Sequence, residues 1–393
     1  MTISVTRTEV PNVEVTDGAA VPGGTAVTDG TAVKDGTVQY VNIGNLELEA
    51  GGFLPDVTLA YETWGTLNED CSNAILVEHA LTGSTHVTRG TDDEEGWWEQ
   101  LAGPGAPADT DRFFVVSINI VGGCYGSTGP SSAAPDGRPW GSRFPLVTLR
   151  DTTAAEARLA DQLGISSWYA VLGGSMGGAR ALEWAVTYPE RVRRCGVISI
   201  GASSTAEQIA FAQAQTLAIR QDPHFNGGDY YAGPVPEAGL ALARRIAHIT
   251  YRSAQELDFR FGRNAQASEA PLRADALAAR GRYQVESYLD HQGSKLVGRF
   301  DANSYIAITE ALMSHDICRG RGSLKETLAR TTADFFIAAV NTDRLYFPSQ
   351  SRELADALPG DVDVHVIEAP IGHDGFLTEI GQLDAQLRGV FFA

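Results

Sequence analysis

The sequence predicts an α/β fold, a mostly parallel sheet wrapped by helices and interrupted once by a helical insertion. Three observations predict it. Apolar, β-type runs alternate with helix-spaced segments from about residue 38 to 203. The alternation stops between residues 204 and 328, where no convincing β run occurs, and resumes from 329 to the end. Two of the runs, 113–120 and 168–172, are almost continuously apolar, as in strands covered on both faces of a parallel sheet.

The elements follow in order. Residues 1–36 read as a low-complexity, disordered tail: Thr25 to Gly30 is nearly repeated by Thr31 to Gly36, and such small polar residues bury too little surface to offset chain entropy. The first core segment, 37–203, opens with strands at 57–64 and 74–78, the second running into a Gly/Thr/Ser loop from His79 to Thr85. Strand 113–120 leads into a long Gly/Pro/Ser loop, 121–145. Helix 152–163, strand 168–172, a helix from Met176 to Thr187 stopped by Tyr188-Pro189, and strand 197–200 complete the segment. The helical block 204–328 is placed as a lid over the carboxyl edge of the sheet. The second core segment, 329–393, holds strand 334–340, a helix at 350–357, strand 362–367 and a last helix at 376–390.

Composition narrows the function. The 393 residues carry a formal net charge of −19, which repels nucleic-acid backbones and anionic membranes. Only Lys34, Lys295 and Lys325 among the basic residues are lysines, so cationic recognition falls to arginine. Cys71, Cys124, Cys195 and Cys318 lie far apart, with neither C-x-x-C nor zinc spacing, and read as reduced thiols. The N-terminus has no apolar core of a signal peptide, and the strongest apolar run covers only residues 335–340. The expected class is a soluble cytoplasmic protein without a metal, a membrane segment or a nucleic-acid partner.

The sharpest motif is Gly173-Gly174-Ser175-Met176-Gly177-Gly178. It holds G-x-S-x-G between a buried strand and a helix, the context in which a serine is presented on a tight turn as a nucleophile. A serine alcohol needs a base to take its proton and an acid to orient that base. On the α/β-hydrolase fold these follow in the order acid, then histidine, each after a late strand. Asp343 lies just past strand 334–340, and His373 lies in the loop after strand 362–367, the single histidine of eight in that position. His365 falls inside a strand; His224, His248, His291 and His315 fall in the lid block, where packing roles are expected; His79 and His86 flank the early loop. The oxyanion hole is expected from the backbone N–H of Met176 and of the early loop at Leu81.

These residues, with the blocks Glu78 to Gly83, Asn119 to Pro130, Gly239 to Arg244, Arg299 to Tyr305 and Gly372 to Leu377, resemble the homoserine O-acetyltransferase family from about residue 38 onward. The resemblance implies an α/β-hydrolase fold with an inserted helical lid and a homodimer formed through the lid. It implies transfer of acetyl from acetyl-CoA, as co-substrate and with no further cofactor, to the hydroxyl of L-homoserine in methionine biosynthesis, by a ping-pong route through an acetyl-serine. It assigns Ser175, Asp343 and His373 to the triad, and Arg244 and Asp374 to the amino acid, whose carboxylate suits a guanidinium and whose ammonium suits a carboxylate. Arg244 could instead be a solvated helix residue, as one of Arg244 and Arg245 must be, and Asp374 could cap the last helix. Homoserine succinylation, serine acetylation and ester hydrolysis are the alternative reactions on the same fold, and a non-catalytic binding protein is the third class, disfavoured by the intact triad residues.

Overall fold

The structure is a computed structural model that describes residues 34–91, 94–272 and 279–391. Most of the expected tail, residues 1–33, lies outside the described residues. Its last residues do not behave as tail: Gly65 N–H donates to Asp35 Oδ1 at 3.2 Å, and Gly36 N–H donates to Thr63 O at 3.1 Å. The folded body therefore takes in Asp35 and Gly36, and the boundary expected at 37 falls too late.

The frame is an eight-stranded sheet. Its strands are β1 (Gln39–Asn42), β2 (Thr58–Trp64), β3 (Ala74–Glu78), β4 (Phe114–Ile118), β5 (Ala170–Gly174), β6 (Arg194–Ile198), β7 (Asp334–Val340) and β8 (Val364–Ile367). Their spatial order is β1-β2-β4-β3-β5-β6-β7-β8. β2 runs antiparallel to both its neighbours, and all pairings from β4 through β8 are parallel. The alternation of side chains splits the core in two. Leu76, Val116 and Val171 face helices α1 (Leu149–Gln162) and α2 (Met176–Thr187), whereas Ile75, Val77, Val115 and Leu172 face Trp98, Phe376 and the C-terminal helix.

Register brings the functional ends together. Glu78 pairs with Gly173, Ile198 with Gly174, and Val340 with Ile367, so the loops after β3, β5, β7 and β8 leave the same edge of the sheet. Helix α1 begins at a capping box, in which the Thr148 side chain accepts from Asp151 N–H and Asp151 accepts from Thr148 N–H.

Between β6 and β7 stand α3 (Ala206–Arg220), α4 (Glu237–Tyr251), α5 (Ala254–Phe261), α6 (Gln284–Val297), α7 (Ala302–Met313) and the short α8 (Leu324–Leu328). Helix α3 packs on α4 and α7, and α4 packs on α6. The insertion is closed at its base, where Ser204 N–H donates to His315 O and Ile317 N–H to Ala202 O. After β7 come α9 (Pro348–Ala357), α10 (Gly375–Thr378) and α11 (Ile380–Val390), the last two replacing the single helix expected over 376–390.

Candidate active site

Ser175 sits at the top of β5, and its backbone explains the glycines around it. Its φ of 57° and ψ of −125° are a conformation rarely adopted by side-chain-bearing residues, costing about 1–3 kcal/mol. The turn holds because Ser175 N–H donates to Ile198 O at 2.9 Å and Ala179 N–H donates to Ser175 O at 3.0 Å. A Cβ on Gly177 would stand 2.1 Å from Glu78 O, and one on Gly173 would stand 2.5 Å from the Gly177 carbonyl carbon. Only glycine permits β3, β5 and α2 to converge so closely behind the serine.

Asp343 follows β7 and is fixed from two sides. Its Oδ1 accepts from Leu345 N–H at 2.8 Å and Tyr346 N–H at 2.9 Å, and its Oδ2 takes the Nδ1–H of His373 at 2.6 Å. The loop bearing His373 is tied to the Asp343 loop where Gly372 N–H donates to Thr342 Oγ1 and Thr342 Oγ1–H donates to Ala369 O. With Nδ1–H given to Asp343, His373 Nε2 is left as an acceptor, buried and without a hydrogen-bond partner among the described residues. Burial works against a charged His373, but the Asp343 carboxylate outweighs it and, with Asp374, raises the imidazole above its ordinary value.

Ser175 and His373 share two ring neighbours, Tyr251 and Tyr346. The His373 ring lies 5.3 Å from Tyr346, 5.9 Å from Tyr251 and 5.4 Å from Phe376. Tyr251 and Tyr346, with Ser175 and Leu81, line a cavity of about 50 Å³ roofed by Phe211 and Met313 of the lid. Phe376 also packs on Gly174, the residue before the serine. A larger cavity of about 270 Å³, bordered by Ser142, Phe225 and Asn303, contains none of the expected catalytic residues.

Leu81 lines the same cavity as the serine, and neither Leu81 N–H nor Met176 N–H is spent on a protein acceptor among the described residues. Met176 is the first residue of α2, where a helix leaves its amides unpaired. The loop's support is His79. Its Nδ1–H donates to Ala80 O at 2.8 Å, and its Nε2 accepts from Ile120 N–H at 3.1 Å. Burial, then the Arg180 charge, push this histidine down to about 3, so it stays neutral. Behind it Arg180 reaches Glu78 Oε2 at 2.6 Å and also pairs with Glu156, all three side chains fully or almost fully buried. Sequence reasoning missed this cluster and the use of His79; the consecutive Glu78-His79 at a buried strand end was the available signal.

The structure separates the two arginines of α4. Arg245 pairs with Asp290 at 2.7 Å, whereas Arg244 has no carboxylate partner among the described residues and lies 5.6 Å from the Tyr251 ring centre. Asp374 occupies the position before α10, but its side chain makes no capping hydrogen bond. It faces Arg252 instead, at 3.3 Å, a partner that sequence reasoning also missed. Among the described residues no group of three or more His, Cys, Asp or Glu could hold a metal ion, and no helix is long and apolar enough to cross a membrane.

A strained serine between strand and helix, a carboxylate-bound histidine after the last strand and a helical roof define an α/β-hydrolase-fold protein, and the model of that fold matches residues 73–380. The chain is 58% identical over 348 residues to the homoserine O-acetyltransferase of Thermobifida fusca, covering 87% of this chain and 90% of that one. It belongs to the homoserine O-acetyltransferase family. Among solved structures, the homoserine O-acetyltransferase of Bacillus anthracis superimposes with a TM-score of 0.84 at 27% identity, covering 91% of this chain and 98% of that one. Esterase E22 superimposes with a TM-score of 0.83, also at 27% identity, covering 90% and 99%.

Proposed function

We propose that the protein transfers acetyl from acetyl-CoA to the hydroxyl of L-homoserine through an acetyl-serine, with Ser175, His373 and Asp343 as its triad. The observation that carries the chemistry is the buried His373 Nε2, left open by the Asp343 bond and set among the rings that surround Ser175. In the first half-reaction Nε2 takes the Ser175 proton as Oγ attacks the thioester carbon. The N–H groups of Leu81 and Met176 receive the oxyanion. CoA leaves as its thiol, carrying the proton held by His373. In the second half, His373 takes the homoserine hydroxyl proton, the alkoxide attacks the acetyl carbon, and Ser175 leaves with the proton restored. The chemistry asks for no further cofactor.

Arg244, free of a carboxylate partner among the described residues, suits the substrate carboxylate, and Asp374 suits its ammonium. Acetyl is favoured over succinyl by the 58% identity to a homoserine O-acetyltransferase. Transfer is favoured over hydrolysis by the 58% identity to an acetyltransferase, against 27% to the esterase. The lid exposes Ile209 and Leu217 of α3, Leu242 and Ile249 of α4, and Val235 before α4, apolar side chains that a second copy of the chain would cover. The free thiols of all four cysteines suit a reducing cytoplasm, and homoserine acetylation places the enzyme in methionine biosynthesis.

The test is thiol release from acetyl-CoA and succinyl-CoA, each offered homoserine, serine or water. Acetyl-CoA with homoserine should exceed every other combination by at least tenfold; faster turnover with water than with homoserine would make the protein an esterase.

A further inference from the structure

We infer that Arg252, at the joint between α4 and α5, is a positioning residue that makes the site selective for an acceptor carrying an ammonium group. The inference rests on the reading above, in which Asp374 meets that ammonium.

The joint is bolted to the loop that carries His373. Ser253 N–H donates to Ile371 O at 3.0 Å, and the Ser253 hydroxyl donates to Pro370 O. The approach is so close that a Cβ on Gly372, whose φ is +96°, would stand 2.6 Å from Ser253 N and 2.8 Å from Tyr251 O. Tyr251, one residue before Arg252, contributes the ring beside His373 and lies under Arg244. This backbone seam sets Arg252 against Asp374, with Nη2 at 3.3 Å from Oδ2.

The ion pair runs through Oδ2, and Oδ1 accepts no hydrogen bond among the described residues. Arg252 is itself mostly buried, 13% exposed at its side chain, and its other nitrogen Nη1 lies 3.6 Å from Glu256 Oε1. Held between two carboxylates, the guanidinium cannot swing away to take the substrate's carboxylate, which leaves that task to Arg244. Burial lifts Asp374 above the ordinary carboxylate value, and the charge of Arg252, followed by those of His373 and Arg244, offsets part of that rise. Arg252 thus favours the ionised form of Asp374 and anchors its carboxylate through Oδ2, leaving Oδ1 for a cationic group.

The experiment compares homoserine with 4-hydroxybutyrate, which keeps the hydroxyl and carboxylate and lacks the ammonium, in the wild type, Arg252→Gln, Arg252→Lys and Asp374→Asn. The wild type should prefer homoserine by at least 100-fold in kcat/KM. Arg252→Gln should shrink that preference at least tenfold through a raised homoserine KM, while the CoA burst from acetyl-CoA alone keeps most of its amplitude. Arg252→Lys should restore much of the preference. An unchanged preference in Arg252→Gln, alongside a reduced one in Asp374→Asn, would overturn the role of Arg252 alone. An unchanged preference in Asp374→Asn would overturn the ammonium site on which it rests. Loss of the burst in both Arg252 variants would make the residue merely structural and overturn the inference.

Discussion

The sheet edge and the lid joint both contribute to the site, but they hold their residues by different means. At the edge, backbone does most of the fixing: Ser175 is held by a positive φ and two glycines packed against β3 and Asp343 by two amides, while the Asp343 carboxylate and the Thr342 hydroxyl hold His373 and its loop. At the joint, side chains meet side chains: Arg244 over Tyr251, Arg252 against Asp374. Backbone placement gives the sub-ångström control that a proton relay and an oxyanion hole require. Side-chain placement can be retuned by single substitutions without disturbing the sheet. On the proposed mechanism the edge sets whether acyl transfer occurs at all, and the joint sets which acceptor receives the acyl group.

Breaking the edge should have the largest effect. Asp343→Asn should lower kcat on the order of 10⁴-fold, since the amide cannot stabilise the imidazolium or fix its tautomer. The pH profile sharpens the point. As the proposed base, His373 needs an unprotonated Nε2, and its raised value should put the acid limb of the acetyl-CoA burst above 6.5, with activity lost as pH falls through it. In Asp343→Asn the residual burst should have its acid limb at lower pH, because burial, which disfavours the imidazolium, then acts with less opposition. The same raised value means that protonated His373 stabilises the fold below pH 6.5, a contribution lost as pH rises through the folded value. Urea unfolding of both proteins across pH 6 to 9 measures it.

Breaking the joint should be milder and confined to the second half-reaction. Arg244→Ala should cost about 2–4 kcal/mol in kcat/KM for homoserine while the burst is largely spared. Its acetyl-enzyme should drain mainly to acetate, measured as acetate against acetylated product. A lost burst with an unchanged acceptor KM would move Arg244 to the CoA side.

Away from both regions, effects should reach stability alone. Asp35→Ala removes the acceptor of Gly65 N–H and should lower unfolding free energy by about 1 kcal/mol with kcat unchanged.

The same contrast decides what was legible in the sequence. Ser175, Asp343 and His373 follow strands where apolar runs stop, with glycines beside Ser175 and His373, so local pattern located them. Arg252 and Asp374 are joined across the joint by a seam between segments more than a hundred residues apart, and neither segment signals it alone. The strand expected at 197–200 lies at Arg194–Ile198, because Gly196 packs onto Leu172 and Cys195 is fully buried, so a stretch with a charged first residue still enters the sheet. β1 was missed because Gln39–Asn42 alternates exposed and half-buried residues at the sheet's margin, with little apolar signal. Capping residues Thr148 and Asp151 started α1 three residues earlier than its apolar spacing suggested.

The central claim is that Ser175 itself carries the acyl group between donor and acceptor. Mixing the protein with acetyl-CoA alone, quenching, and mapping the acetyl group by peptide mass tests it most directly. One acetyl group on Ser175, formed together with one equivalent of free CoA, removed on adding homoserine and absent from Ser175→Ala, is the predicted result. Undiminished homoserine acetylation by Ser175→Ala, or product formed by wild type with no acetylated serine ever trapped, would contradict it.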